Sequence, residues 1–165
     1  MRKRVLGMIL LLTCGGITNT YASTKPSVLP GVMPVDVYQN LEKRGWKCTR
    51  PHYAKSTTDF TKLDKTTTTF DCFSSNKLAY AIAWGTTVSN LTSVSVQVTE
   101  STNYGWLGFI ATLPIDGVDQ AAAQQWALDS VKRVKQGKPI VKTFGGIKYE
   151  VSGGGTARTL TINPF

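Results

Sequence analysis

The chain has 165 residues, with 19 Lys+Arg against 10 Asp+Glu, one histidine and three cysteines. That length holds one compact domain, and an apolar content of 41% excludes wholesale disorder. One His and three Cys exclude a dedicated transition-metal cage and a Cys-rich disulfide scaffold, while the formal charge of +9 points first to a polyanion.

Residues 1–22 read as a secretory signal. Arg2, Lys3 and Arg4 form a positive n-region, Val5 to Leu12 an apolar core, and Thr20-Tyr21-Ala22 a small-x-small cleavage site before Ser23. The apolar run is shorter than the ~20 residues that span a bilayer, and no later segment reaches that length. The mature chain is therefore expected in the periplasm or medium. Leu11-Leu12-Thr13-Cys14-Gly15 also resembles a bacterial lipobox, with Thr13 where Gly, Ala or Ser is usual. The alternative that this resemblance implies is a lipid anchor on Cys14. Without residues 1–22 the chain keeps 16 basic and 10 acidic side chains, a net charge of +6. A third of the excess belongs to the export signal.

Residues 23–34, with three prolines and a glycine, read as an extended leader or tether. Pro34 opens a helix from about Val35 to Arg44, with Val37, Tyr38 and Leu41 on one face and Gly45 as its stop. The period then becomes two. Trp46–Tyr53 and Thr67–Ser74 are expected as strands around a polar loop, residues 54–66, that carries Asp59 and Asp64. In the third strand Leu78, Tyr80, Ile82 and Trp84 alternate with Ala79, Ala81 and Ala83, giving a bulky face and a small one. Val94, Val96 and Val98 mark a fourth strand, and the evenly apolar Trp106–Leu113 a fifth. A second helix starts with Asp116 as N-cap and Asp119 in its first turn. It carries Val118, Ala122, Trp126, Val131 and Val134 as a stripe and ends at Gly137-Lys138-Pro139. Strands near Val141–Val151 and Ala157–Ile162 flank Gly153-Gly154-Gly155, with a tight turn or bulge at Gly145-Gly146. The expected fold is one α+β domain over residues 35–165: a mainly antiparallel sheet of about six to eight strands with two helices packed on one face.

Cys48 and Cys72 are expected to form a disulfide, because an exported chain meets an oxidising compartment and Cys-x-x-Cys spacing is missing. If the first two strands pair so that residue numbers sum to 120, Cys48 faces Cys72 and Tyr53 faces Thr67. That register puts Trp46, Arg50 and His52 on the Cys48 face.

No catalytic constellation stands out. The serines lack nucleophile motifs, the glycine pairs lack the Lys-Ser/Thr of a phosphate loop, and nothing calls for a metal or other cofactor. Lys132, Arg133, Lys135, Lys138, Lys142 and Lys148 fall in 17 residues without an acid, a candidate patch for an anionic partner. Tyr104 and Trp106 beside Ser101-Thr102-Asn103 are candidates for exposed aromatics at a hairpin end. Nucleic acid is disfavoured, since no aromatics interleave with the lysines. The plan resembles that of small bacterial envelope proteins, inhibitors and immunity proteins among them. The expected role is a non-enzymatic module that binds another envelope macromolecule, protein or anionic surface. The alternative is a small secreted hydrolase or nuclease using His52 and Arg50.

Overall fold

The computed structural model describes residues 27–55, 61–87 and 89–165. The signal segment, Cys14, the cleavage site after Ala22 and Asp59 lie outside the described residues.

An eight-stranded antiparallel sheet carries three α-helices on one of its faces. In chain order the elements are α1 (Pro34–Glu42), β1 (Lys47–Cys48), β2 (His52–Lys55), β3 (Leu63–Phe73), β4 (Ala79–Thr87) and β5 (Asn90–Val98). After these come α2 (Gly105–Ala111), α3 (Gln120–Arg133), β6 (Ile140–Phe144), β7 (Ile147–Gly154) and β8 (Ala157–Pro164). The sheet order is β1-β3-β4-β5-β8-β7-β6, and β2 pairs with β3 on the same edge as β1. The C-terminal strand thus sits in the middle of the sheet, joining the β3–β5 meander to the β6–β7 hairpin.

The α+β class and the antiparallel sheet agree with expectation; the helix count does not. Trp106–Leu113 is not a strand. Gly105–Ala111 is helical, and Leu107, Ile110 and Ala111, at the i, i+3, i+4 spacing, enter the core. An evenly apolar run of eight does not separate a buried strand from a buried helix. Gly108 lies where a Cβ would come within 2.9 Å of Leu128, so its missing side chain lets α2 and α3 touch. The N-cap of α3 also moves from Asp116 to Asp119, whose carboxylate accepts from the Ala122 N–H at 3.0 Å.

Part of the expected tether is core. Leu29 and Val32 are buried, the Leu29 N–H donates to the Leu91 carbonyl, and the Asp116 N–H donates to that of Pro30. Residues 27–34 therefore belong to the domain, because two apolar side chains find the gap between β5 and the loop before α3.

The sheet's inner face is built from small and branched residues. Ala79, Ala81 and Ala83 lie beside Val98, Val96 and Val94, which in turn lie beside Leu160 and Ile162, and all are buried. The alanine row lets α1 sit close, with Val37 and Leu41 in the core and the Tyr38 ring 5.1 Å from Phe70. Under α3, Trp126, Phe144 and Tyr149 meet edge to face at 5.2–6.3 Å.

Cys48 and Cys72 are bonded, at the paired positions expected, on the α1 side of the sheet. Beyond them the expected register fails. Tyr53 pairs with Thr68 rather than Thr67, and His52 with Thr69. Pro51 has no N–H to give the ladder, the strand breaks between Cys48 and His52, and pairing resumes one residue out of step. A one-residue slip exchanges faces, so His52 leaves the Cys48 side for the opposite face.

Reducing the disulfide opens a loop of sequence separation 24 and should cost roughly 3 kcal/mol. Urea unfolding of the oxidised protein against Cys48→Ser/Cys72→Ser is the measurement; an unchanged midpoint would refute this role. The Tyr149 hydroxyl is buried without a hydrogen-bond partner. Tyr149→Phe should leave stability equal or raise it by about 1 kcal/mol, and a clear loss would contradict an unpartnered hydroxyl.

Candidate functional site

The sheet's second face is left uncovered by the described helices. Strand alternation puts three rows on it. Trp84 lies between Thr69 and Ser93, Ile82 between Asp71 and Ser95, and Tyr80 between Phe73 and Gln97. The rows continue over β8 through Thr161 and Thr159. One half of the face is thus aromatic and aliphatic, and the other is hydroxyl-bearing. The bulky side of β4 is the outward side, and Phe73 on β3 is 44% exposed.

A hydrogen-bonded chain crosses the aromatic half. Tyr80 Oη donates to Asp71 Oδ1 at 2.5 Å, and Asp71 Oδ2 lies 3.2 Å from His52 Nε2. His52 Nδ1 lies 3.1 Å from the Arg50 carbonyl. Three separate strands supply the three side chains. The slip at Pro51 brings His52 beside Asp71, and this is why the regular register missed the cluster. Arg50 contributes its backbone oxygen here.

A cleft of about 340 Å³ opens at this point, lined by His52, Lys55, Leu63, Thr69, Ile82 and Trp84 among others. Two departures from regular pairing shape it. β2 bulges between Tyr53 and Ala54, and β4 irregularly pairs around Gly85, where a Cβ would come 2.3 Å from the Asn90 carbonyl. Thr69 is only 4% exposed, and its hydroxyl has no hydrogen-bond partner in the described structure. At the other end of the face, a second cleft of about 360 Å³ lies between Phe73, Lys47 and Lys77.

The chemistry available is recognition more than turnover. A neutral imidazole donates through one nitrogen only. His52 has a carbonyl oxygen at Nδ1 and a carboxylate oxygen at Nε2, and its N–H donates to one or the other according to tautomer. Both nitrogens thus face protein oxygens and not a site where a substrate proton would be taken. Among the described residues no group of three His, Cys, Asp or Glu comes together.

The other candidates lie elsewhere. Tyr104 and Trp106 are half-buried at the start of α2, not exposed at a hairpin end. Trp106 stacks edge-on against Trp46 at 4.9 Å, and the Tyr104 hydroxyl donates to the Thr156 carbonyl at 3.3 Å. Their turn belongs to a helix, so their rings go to core packing. The six basic residues do not form one patch. Lys132 and Arg133 end α3, and Lys135 and Lys138 bracket the next turn. Lys142 pairs in register with Tyr149 on the helix face, whereas Lys148 is on the open face, 2.9 Å from Glu150.

Burial, and then the hydrogen bond to Asp71 and its charge, push the Tyr80 phenol above its usual value. Burial alone pushes Tyr149 up to about 12. A phenol that ionises later folded than unfolded stabilises fully below about pH 10, its unfolded value, and loses that contribution as pH rises through the folded value. Stability should therefore fall above pH 10, and less steeply in Tyr80→Phe and Tyr149→Phe. Urea midpoints at pH 9, 10 and 11 read this out; parallel curves for all three proteins would refute it.

Neither protein-family models nor curated proteins nor solved structures show a match to this chain.

Proposed function

We propose that this chain is an exported, non-enzymatic module that binds another envelope macromolecule through its uncovered sheet face. The observation that carries the reading is the outward placement of Phe73, Tyr80, Ile82 and Trp84, on a face that the helices leave free. Phe73 is exposed and the other three are half-buried, and aromatics with rigid neighbours are the residue types that anchor interfaces. The contacts of Asp71 with His52 and Tyr80 keep the surface preorganised. Export is supported by the residues 1–22 pattern, and the Cys48–Cys72 disulfide is compatible with an oxidising, extracytoplasmic location. No described helix is long and apolar enough to cross a membrane.

A hydrolytic reading has one observation in its favour, the His52–Asp71 pair beside a cleft. It is the weaker reading, because both imidazole nitrogens already face protein oxygens. The two separate in one comparison. A photo-crosslinking residue at Ser95, on the open face, should give adducts in the envelope fraction, and one at Gln124, exposed on α3, should give none. In parallel, wild type and His52→Ala should show the same absence of turnover on RNA, peptidoglycan and phospholipid. Turnover by wild type alone, or adducts only from Gln124, would overturn the proposal.

A further inference from the structure

Resting on the open face as docking surface, we infer that its partner is an acidic protein. This partner seats carboxylates against the lysines at the two ends of the aromatic strip and apolar side chains between them.

The first argument is charge. Of the described carboxylates on the open face, Asp71 is held by His52 and Tyr80, and Glu150 by Lys148. By contrast, Lys47, Arg50, Lys55 and Lys77 have no carboxylate partner among the described residues, and all are exposed. Lys47 pairs in register with Phe73 and, with Lys77, lines the cleft there. Lys55 lines the cleft at Trp84. Each cleft therefore sets a free cation beside an aromatic ring. Exposed lysines beside apolar rings draw an acidic surface to these two clefts.

The second argument is chemistry within the cleft. Lys55 lines it together with Leu63, Ile82 and Trp84, so a cation stands among apolar walls. A carboxylate accepts from an ammonium, and its aliphatic stem finds Ile82, Leu63 and Trp84. Both carboxylate oxygens of Asp71 are engaged within the protein, by the Tyr80 hydroxyl and by His52.

The third argument is shape. Adjacent strands lie ~4.8 Å apart and rise ~3.4 Å per residue, so seven strand positions with strands of up to 11 residues present a face on the order of 900 Å². That is comparable to the ~800 Å² per partner of a standard protein interface. A flat field with aromatic centre and cationic ends has the layout of such an interface. Leu63, 57% exposed and lining the cleft at Trp84, extends the strip for protein contact. A net +6 on each mature chain opposes a second copy as occupant.

The test is a selection of twelve-residue peptides from a displayed random library on the mature, oxidised protein. Trp84→Ala/Phe73→Ala serves as the subtracting variant. Enriched peptides should interleave Asp or Glu with Leu, Phe or Trp. Their affinity should fall at least tenfold in Trp84→Ala and in Lys47→Glu/Lys55→Glu, remain in Lys135→Glu/Lys138→Glu, and drop with added salt. Circular dichroism and urea midpoints confirm that each variant is folded. Sodium polygalacturonate, vesicles of phosphatidylglycerol and sedimentation velocity of the protein alone supply the competing arms. Binding of either polyanion through Trp84 without peptide enrichment would overturn the partner class and leave the open face as the docking surface. A dimer dissolved by Trp84→Ala would assign the face to a second copy. Peptides that bind Trp84→Ala/Phe73→Ala equally well, or no binding in any arm, would overturn the open-face reading itself.

Discussion

The structure depends on the size alternation of β4. Ala79, Ala81 and Ala83 lie under the helices, and Tyr80, Ile82 and Trp84 point away from them. A row of three methyl groups lets α1 approach the sheet closely enough for Val37 and Leu41 to be fully covered. Large rings in that row would hold the helix off and open voids that a close-packed interior does not tolerate. The cost of this close approach is met on the other face, where the bulky members of the same strand have nowhere inside to go. Core packing and surface aromatics are thus two consequences of one strand.

The position of His52 follows from a second local constraint. Pro51 cannot donate to the ladder, so the edge beside β3 is carried by two short strands with different registers. The disulfide fixes the first at Cys48–Cys72; the second is free to settle one residue away. Because side chains alternate, this slip decides which face His52 occupies. An uninterrupted strand would direct the only histidine toward α1, where Asp71 is out of reach.

These two cases explain what was legible in the chain. The period-two runs at Val94–Val98, the two-sided character of β4 and the Cys48–Cys72 pairing are local patterns, and all appear at the expected residues. The orientation of β4 is not local. Hydrophobicity argues for the bulky side inward, and only the helices that pack on the sheet reverse this. Trp106–Leu113 was ambiguous because its apolar residues satisfy both periods, and the Gly108–Leu128 contact that favours the helix lies 20 residues away in sequence. The Pro-rich leader misled for a related reason. Prolines report an extended backbone, but do not report that Leu29 and Val32 find a hydrophobic gap. Lys47, Lys55 and Lys77 are spread over some 30 residues, and the fold, not the chain, gathers them.

Charge has the same dependence on the fold. The run Lys132–Lys148 is compact in sequence, yet the sheet divides it, placing Lys148 on one face and Lys142 on the other. Within the block Lys148 is paired to Glu150, and Lys132 lies 4.0 Å from Asp129. Helix-end cations of this kind complement the α3 dipole. Along β1–β4, by contrast, Asp71 is engaged inside a hydrogen-bonded chain, while lysines without a carboxylate partner among the described residues stand at both ends of an aromatic strip. The difference between a solvated run of charge and a recognition surface lies in which acids remain to neutralise it. On the open face, the nearest ones are already committed to holding the surface in shape.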